Sequence, residues 1–221
     1  RDQLRLFTLL APHLGSVGWG NNGRVYQVGN REILLANNGD YWLAMAATTP
    51  FVRCSCGYVG RSDGWTDLFD NLEMDWEFAS AEDGNIALTG ELNVRDNPEF
   101  TLGLALGYTR HNAVTTLLQA LGVSFAEQRA RYIEQWGRAQ RRLWPVQGVG
   151  KNAERLYGIS HSLLLAHEDK TYAGAMIASM SIPWGEAAGD DNVGGYHLVW
   201  TRDMVNSATG LLATGNIHTP L

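Results

Sequence analysis

The chain is short of basic charge, of cysteine and of long apolar runs, and each shortage excludes a class of function. Lys and Arg number 17 against 23 Asp and Glu, and the six His are scattered, for a formal charge of −6. A basic footprint for nucleic acid is therefore missing, and so is a polybasic patch for a membrane surface. No apolar run approaches the ~20 residues that a membrane span needs. The two cysteines form Cys54-Ser55-Cys56. On a strand, positions two apart share a face. Two adjacent thiols do not make a metal site, so the pair reads as partly buried free thiols. The chain begins at Arg1 with neither an initiator Met nor a signal peptide. It reads as a processed or truncated product whose start says nothing of localisation.

What the chain does have is core. Of its 221 residues 45% are hydrophobic and 18% charged, enough for one large or two modest domains. Eight Trp and eight Tyr suit a carbohydrate site, although large cores also consume aromatics.

Residues 3 to about 109 read as strands. Leu4 to Leu10 is the first. Arg24 to Val28 and Glu32 to Ala36 flank Gly29-Asn30, a hairpin signal. Tyr41 to Ala46 follows the turn cluster Asn37-Asn38-Gly39-Asp40. Glu73 to Ala79, Asn85 to Asn93 and Phe100 to Thr109 complete the series. Regular spacing with Gly, Asn and Asp turns predicts an antiparallel sandwich. The composition then changes. Asn112 to Leu121 reads as a helix ending at Gly122. Ser124-Phe125-Ala126-Glu127 is a capping box ahead of a stripe of Phe125, Tyr132, Ile133, Trp136, Ala139 and Leu143. Arg138, Arg141 and Arg142 crowd the helix end, where cations suit the dipole, and Pro145 stops it. Asn152 caps a next helix with the stripe Leu156, Ile159, Leu163 and Ala166. Ala173 to Met180 reads as extended and Pro183 to Gly195 as loop. The predicted organisation is a β-domain over 1–110, a helical linker over 111–148 and a helical segment over 149–221.

The stretch Gly194-Gly195-Tyr196-His197-Leu198-Val199-Trp200-Thr201-Arg202-Asp203 carries the chemistry. Thr201 reads as the N-cap of a helix with Met204, Ala208, Leu211 and Leu212 at helical spacing, ended by Gly215. Asp203 then falls in the first turn, where the dipole favours a carboxylate. Arg202 adds a planar five-donor fork, and Tyr196 and Trp200 add flat faces with polar tips. A pyranose site needs rings for its faces and charges for its hydroxyls. A capped core helix with a surface ion pair has the same spacing. His197 reads as a packing residue.

This stretch, together with Ser181-Ile182-Pro183-Trp184-Gly185, the run from Gly57 to Trp65 (GYVGRSDGW) and the run from Gly84 to Glu91 (GNIALTGE), resembles the glucoamylase/glucodextranase family of glycoside hydrolases, family 15. The matches fall in order along roughly the whole chain. The resemblance implies an antiparallel, supersandwich-like β-sandwich followed by an all-α segment that forms the first helices of an (α/α)6 barrel. It implies an exo-acting, inverting α-glucosidase that releases β-glucose from the non-reducing ends of α-glucans or α-gluco-oligosaccharides. Glucoamylase, glucodextranase and trehalase specificities all stay open. Tyr196, Trp200, Arg202 and Asp203 are then the terminal-glucose site, with Leu198 where some fungal relatives have an aromatic.

Inversion uses two carboxyl groups roughly 6.5–9.5 Å apart. In the family both are Glu and both follow this motif, so no catalytic residue is assigned within the chain. Glu186 reads as a loop carboxylate. Asp190 and Asp191 do not fit an EF-hand loop, and neither metal nor cofactor is assigned. The partner expected besides the glucan is the remainder of the chain's own catalytic domain, since two helices cannot close a barrel of twelve. By itself the stretch is expected to be inactive. Two other readings remain: a non-catalytic, carbohydrate-sensing or regulatory relative, and, apart from the resemblance, a β-sandwich binding domain with a helical tail.

Overall fold

A computed structural model describes residues 4–95, 98–148, 150–169, 171–181 and 195–217. The chain forms two compact units, Arg1–Phe125 and Ala126–Leu221.

The first unit is the expected antiparallel sandwich. One sheet has three strands in the order β1 (Leu6–Leu10), β7 (Ile86–Leu92), β5 (Phe51–Tyr58). The other has five, in the order β6 (Ser80–Gly84), β2 (Asn21–Val28), β3 (Arg31–Asn38), β4 (Tyr41–Ala47), β8 (Leu102–Gly107). β2 and β3 pair from Asn22↔Asn37 to Val28↔Arg31 around the two-residue Gly29-Asn30 turn. Between the sheets lie Leu34, Ala36, Met45, Cys54, Cys56, Ile86 and Leu88, all buried, whereas Ile33 and Leu35 share the opposite face of their sheet with Ala44 and Ala105. The middles of β3 and β4 are apolar without alternation because both faces are covered.

Helix α2 (Arg110–Leu121) packs on β8 and β4 through Ala113, Val114 and Leu117. The helical segment read over 111–148 therefore divides. Its first helix contributes to the sandwich core, because Gly103 and Gly107 leave the outer face of β8 flat enough to receive it. The helix is capped by Thr109, whose hydroxyl accepts the Asn112 N–H.

Two readings of the β-region need correction. Glu73 to Ala79 is not a strand, and the strand begins only at Ser80. The segment satisfies its backbone by single bonds instead. Trp76 N–H donates to Asp67, Phe78 N–H donates to Ser55 Oγ, and the carbonyls of Phe78 and Ala79 accept from Cys56 and Val25. The run before it holds helix α1 (Gly64–Asn71), which the strand reading missed.

α1 explains two of the resemblance blocks. Asp63 caps it: Oδ1 accepts the Thr66 N–H at 2.8 Å, while Oδ2 accepts from the Gly60 N–H and the Thr66 hydroxyl. Gly57 lies so close to this turn that a Cβ would stand 1.7 Å from the Ser62 carbonyl oxygen. Gly64 sits on Thr89 of β7, 2.3 Å from where its Cβ would be, and donates its N–H to the Thr89 hydroxyl. Thus GYVGRSDGW and GNIALTGE fold onto each other.

Cys54 and Cys56 are buried free thiols on β5. Burial pushes Cys54 up strongly and Cys56 up to about 12. Neither is a reactive thiolate.

The second unit holds α3 (Phe125–Arg141), α4 (Lys151–Ala166) and α5 (Thr201–Ala213). Gly150, not Asn152, is the N-cap of α4. Its predicted stripe is not its buried face: Leu156 is 61% exposed and Leu163 50%. Ile159, Leu163 and Ala166 instead look across a groove of about 540 Å³ at Tyr132, Ile133 and Trp136 of α3. The buried residue of α4 is His161, 2% exposed. α4 packs against α5, where the space over Gly210 is closed by Leu164. Ala173 to Met180 forms one bridge, Glu168↔Met176, rather than a strand.

Two outcomes follow from this packing. Gly57→Ala is expected to destabilise the sandwich by the upper part of the ~1–3 kcal/mol range for overpacking, or more, because the atom it strikes is backbone. Gln119→Ala, at an exposed position of α2, is the control for urea unfolding; equal midpoints would contradict the contact. His161 is held below its ordinary value by burial. The unfolded chain takes up a proton near pH ~6.5 that the folded state refuses. Its contribution is complete above that pH and is lost as pH falls toward the folded value. The melting temperature should therefore drop more between pH 7.5 and 5 in the native chain than in His161→Leu; parallel slopes would remove His161 as the cause.

Candidate functional site

The stretch from Gly195 to Met204 is shaped by backbone bonds. Gly195 has φ +69, and a Cβ on it would stand 2.9 Å from the Trp200 ring. Its carbonyl accepts twice, from the Leu198 N–H at 3.1 Å and from the indole Nε1–H of Trp200 at 2.8 Å. That second bond folds the Trp200 ring back over the turn. Two further bonds tie the turn to the preceding segment. Ser179 N–H donates to the Tyr196 carbonyl at 2.8 Å, and Ala178 N–H donates to the Leu198 carbonyl at 3.0 Å. Sequence reasoning passed over residues 178–179 as extended chain, since a backbone donor leaves no mark on residue type.

The helix begins one residue earlier than Thr201 as cap would allow. Trp200 is the N-cap, with extended dihedrals, and Thr201 is the first residue of α5. The Trp200 carbonyl accepts the Met204 N–H at 2.8 Å. A large aromatic holds the cap because its indole is already bound to Gly195, so backbone geometry rather than a cap side chain sets the helix start. Asp203 lies in the first turn, as expected. Leu211 is fully buried and anchors the helix, whereas Leu212, read as part of the stripe, is 41% exposed.

The structure places the four residues expected to form the sugar site as follows. Trp200 is half exposed, at 50%, and Tyr196 is partly buried. Arg202 and Asp203 are neighbours, with Nη2 3.9 Å from Oδ2. Their side chains are 85% and 42% exposed, so this contact is long, solvated and weak. Both groups retain hydrogen-bonding capacity: a carboxylate in the first turn of α5 and an exposed guanidinium fork. That set suits vicinal hydroxyls on a flat ring. Among the described residues, no group of three or more His, Cys, Asp or Glu is placed to hold a metal. Pro183, Trp184, Gly185, Glu186, Asp190, Asp191 and Gly194 lie outside the described residues.

Comparison with known proteins bears on both units. The family model for domain N of glucodextranase matches residues 1–141, and that for glycosyl hydrolases family 15 matches residues 151–219. A glucoamylase of Clostridium sp. (strain G0005) is 35% identical over 213 residues, 96% of this chain and 30% of that protein. The crystal structure of a bacterial glucoamylase complexed with acarbose superposes at a TM-score of 0.91 with 36% identity, over 98% of this chain and 32% of that one. An inverting mannosidase of family GH92 from Bacteroides thetaiotaomicron shares the fold at a TM-score of 0.50 with 10% identity, over 74% of this chain and 21% of that one. The chain thus spans about a third of the length of the glucoamylases it matches.

Proposed function

Because this chain belongs to family 15 of the glycosyl hydrolases, glucoamylase type, with a glucodextranase domain N ahead of the family segment, we propose that the whole protein is an exo-acting, inverting α-glucosidase. It releases β-glucose from the non-reducing ends of α-glucans or α-gluco-oligosaccharides. The observation that carries the reading is the exposed aromatic and charged cluster at the N-terminus of α5, inside the segment that matches family 15.

In this proposal Asp203 accepts from two adjacent hydroxyls of the terminal glucose, and Arg202 donates to the same oxygens. Trp200 and Tyr196 flank the ring, and Tyr196 lends π-density to the developing oxocarbenium ion. The general acid and general base of inversion come from the remainder of the catalytic domain. The present residues bind and orient; closure of the barrel over them supplies the water-poor surroundings in which a hydroxyl–carboxylate bond gains strength. Domain boundaries follow the same reading: a β-sandwich domain N, a helical linker, and the opening helices of an (α/α)6 barrel.

The stereochemistry is tested by proton NMR of a fresh digest made with the complete protein. β-Glucose should appear first and mutarotate to α; an α-anomer formed first would mean retention. Asp203→Ala tests the site. Losing the carboxylate at the helix N-terminus should cost only ~0.3–1 kcal/mol of stability. Losing the charged hydrogen bonds to the sugar should lower kcat/KM by about ten- to several-hundred-fold. Normal kinetics with a lowered melting temperature would make Asp203 a capping residue only. A non-catalytic, carbohydrate-sensing relative would bind sugar through the same cluster without turnover.

A further inference from the structure

On the first unit, far along the sequence from the α5 cluster, two tyrosine rings stand in a preformed cleft. Tyr41 opens β4 and is 52% exposed; Tyr108 follows β8 and is 67% exposed. Their centroids are 6.1 Å apart with the planes tilted by 49°. The rings separate two adjoining hollows. One, of about 580 Å³, is lined by His13, Trp42 and Leu106 among others. The other, of about 390 Å³, is lined by Val17, Asn38 and Asp40. Both hollows share Leu14, Gly15, Tyr41 and Tyr108.

Hydrogen bonds hold this cleft in shape. Asn21, fully buried, donates to the carbonyls of Val17 and Gly18 and accepts the Leu14 N–H, which fixes the short turn at residues 14–18. Asn38 Nδ2 donates to the carbonyls of Leu14 and Trp19, which ties the β3–β4 hairpin to that turn. The ring of Tyr41 lies 3.5 Å from where a Cβ of Gly15 would be. The cleft is therefore made before any ligand arrives, which lowers the ordering cost of binding. Neither tyrosine belongs to the buried core, and both residues are more than half exposed.

We propose that the Tyr41–Tyr108 cleft is a second, non-catalytic site for an α-linked gluco-oligosaccharide. The aromatic faces receive the C–H faces of successive sugar rings, and the hydroxyls meet Asp40 and the tyrosine hydroxyls at the rim. A separation of 6.1 Å is comparable to one hexose unit. The 49° tilt suits a chain that turns between residues, as α-linked glucan does; an extended, flat chain would call for coplanar rings. The choice of glucan rests on the function proposed above, whereas the aromatic cleft itself does not. Such a site would tether a polymer while its free end is processed elsewhere in the same protein.

The test uses the complete protein and maltoheptaose as probe, with Asp203→Ala in the background to weaken the terminal-glucose site. Isothermal titration should still detect maltoheptaose, and adding Tyr41→Ala and Tyr108→Ala should weaken it by about ten- to a hundredfold, the scale of two aromatic contacts. Tyr41→Phe with Tyr108→Phe should retain most of the affinity. Without the Asp203 change, the double alanine variant should keep its maltose turnover and lose efficiency only on long glucans. Equal maltoheptaose affinity with and without the rings overturns the proposal. So does a large drop in melting temperature for Tyr108→Ser alone, which would mark the rings as covered by another part of the chain. Absence of maltose turnover in the otherwise native protein would count against the enzymatic reading, and the titration would still report on the cleft.

Discussion

β7 is buried at all seven of its positions, and this one constraint organises the sandwich. A strand between β1 and β5 with no solvent face must satisfy its polar side chains inside the protein. Thr89 does so by accepting the Gly64 N–H, which pins the start of α1. Glu91 does so through a two-pronged bond from Arg5, Nε to Oε1 at 2.8 Å and Nη2 to Oε2 at 2.9 Å. The Arg5 bond holds the Glu91 carboxyl below its usual range despite burial. β7 therefore recruits the first strand from one side and the first helix from the other, across most of the length of the domain.

Three of the stretches that carry the resemblance lie in the described residues, wholly or nearly so, and they have two different physical origins. GYVGRSDGW and GNIALTGE are architecture. Gly57 and Gly64 are places where a turn touches backbone or a strand side chain, and Asp63 is a cap with three donors. The block around Trp200 is different. Its glycine accepts an indole bond and its charges remain in solvent. Core packing explains the first two blocks; in the third it explains Gly195 beneath the Trp200 ring but not the exposed Arg202 and Asp203.

The two units also differ in how far each satisfies itself. The sandwich encloses a continuous core between its sheets and roofs it with α2. In the second unit, α3 has no buried residue among those described, and α4 buries only His161. The apolar faces of Tyr132, Ile133, Leu156 and Leu163 remain open. Helices of this kind draw their stability from tertiary partners more than from propensity, which fits the opening of a barrel such as the matched glucoamylases, about three times longer than this chain, have room for.

Sequence alone determined what is local. The Gly29-Asn30 and Gly39-Asp40 turns, the antiparallel strands beside them, the extent of α2 and α5, and Asp203 in a first turn all follow from period and turn chemistry within a few residues. The four residues proposed for the sugar site were singled out by their resemblance and their crowding at one helix start, where the structure puts Trp200, Arg202 and Asp203. Tertiary structure decided the rest. α1 exists because Asp63 and Thr89 hold its start, and Glu73 to Ala79 is no strand because distant single bonds compete for its backbone. Trp200 rather than Thr201 caps α5 because the Gly195 carbonyl takes the indole. The buried side of α4 runs through His161, not through its leucine stripe, because its packing partner is α5 with a small residue at Gly210. A helix period says which residues share a face. Only the partner's shape says which face is buried.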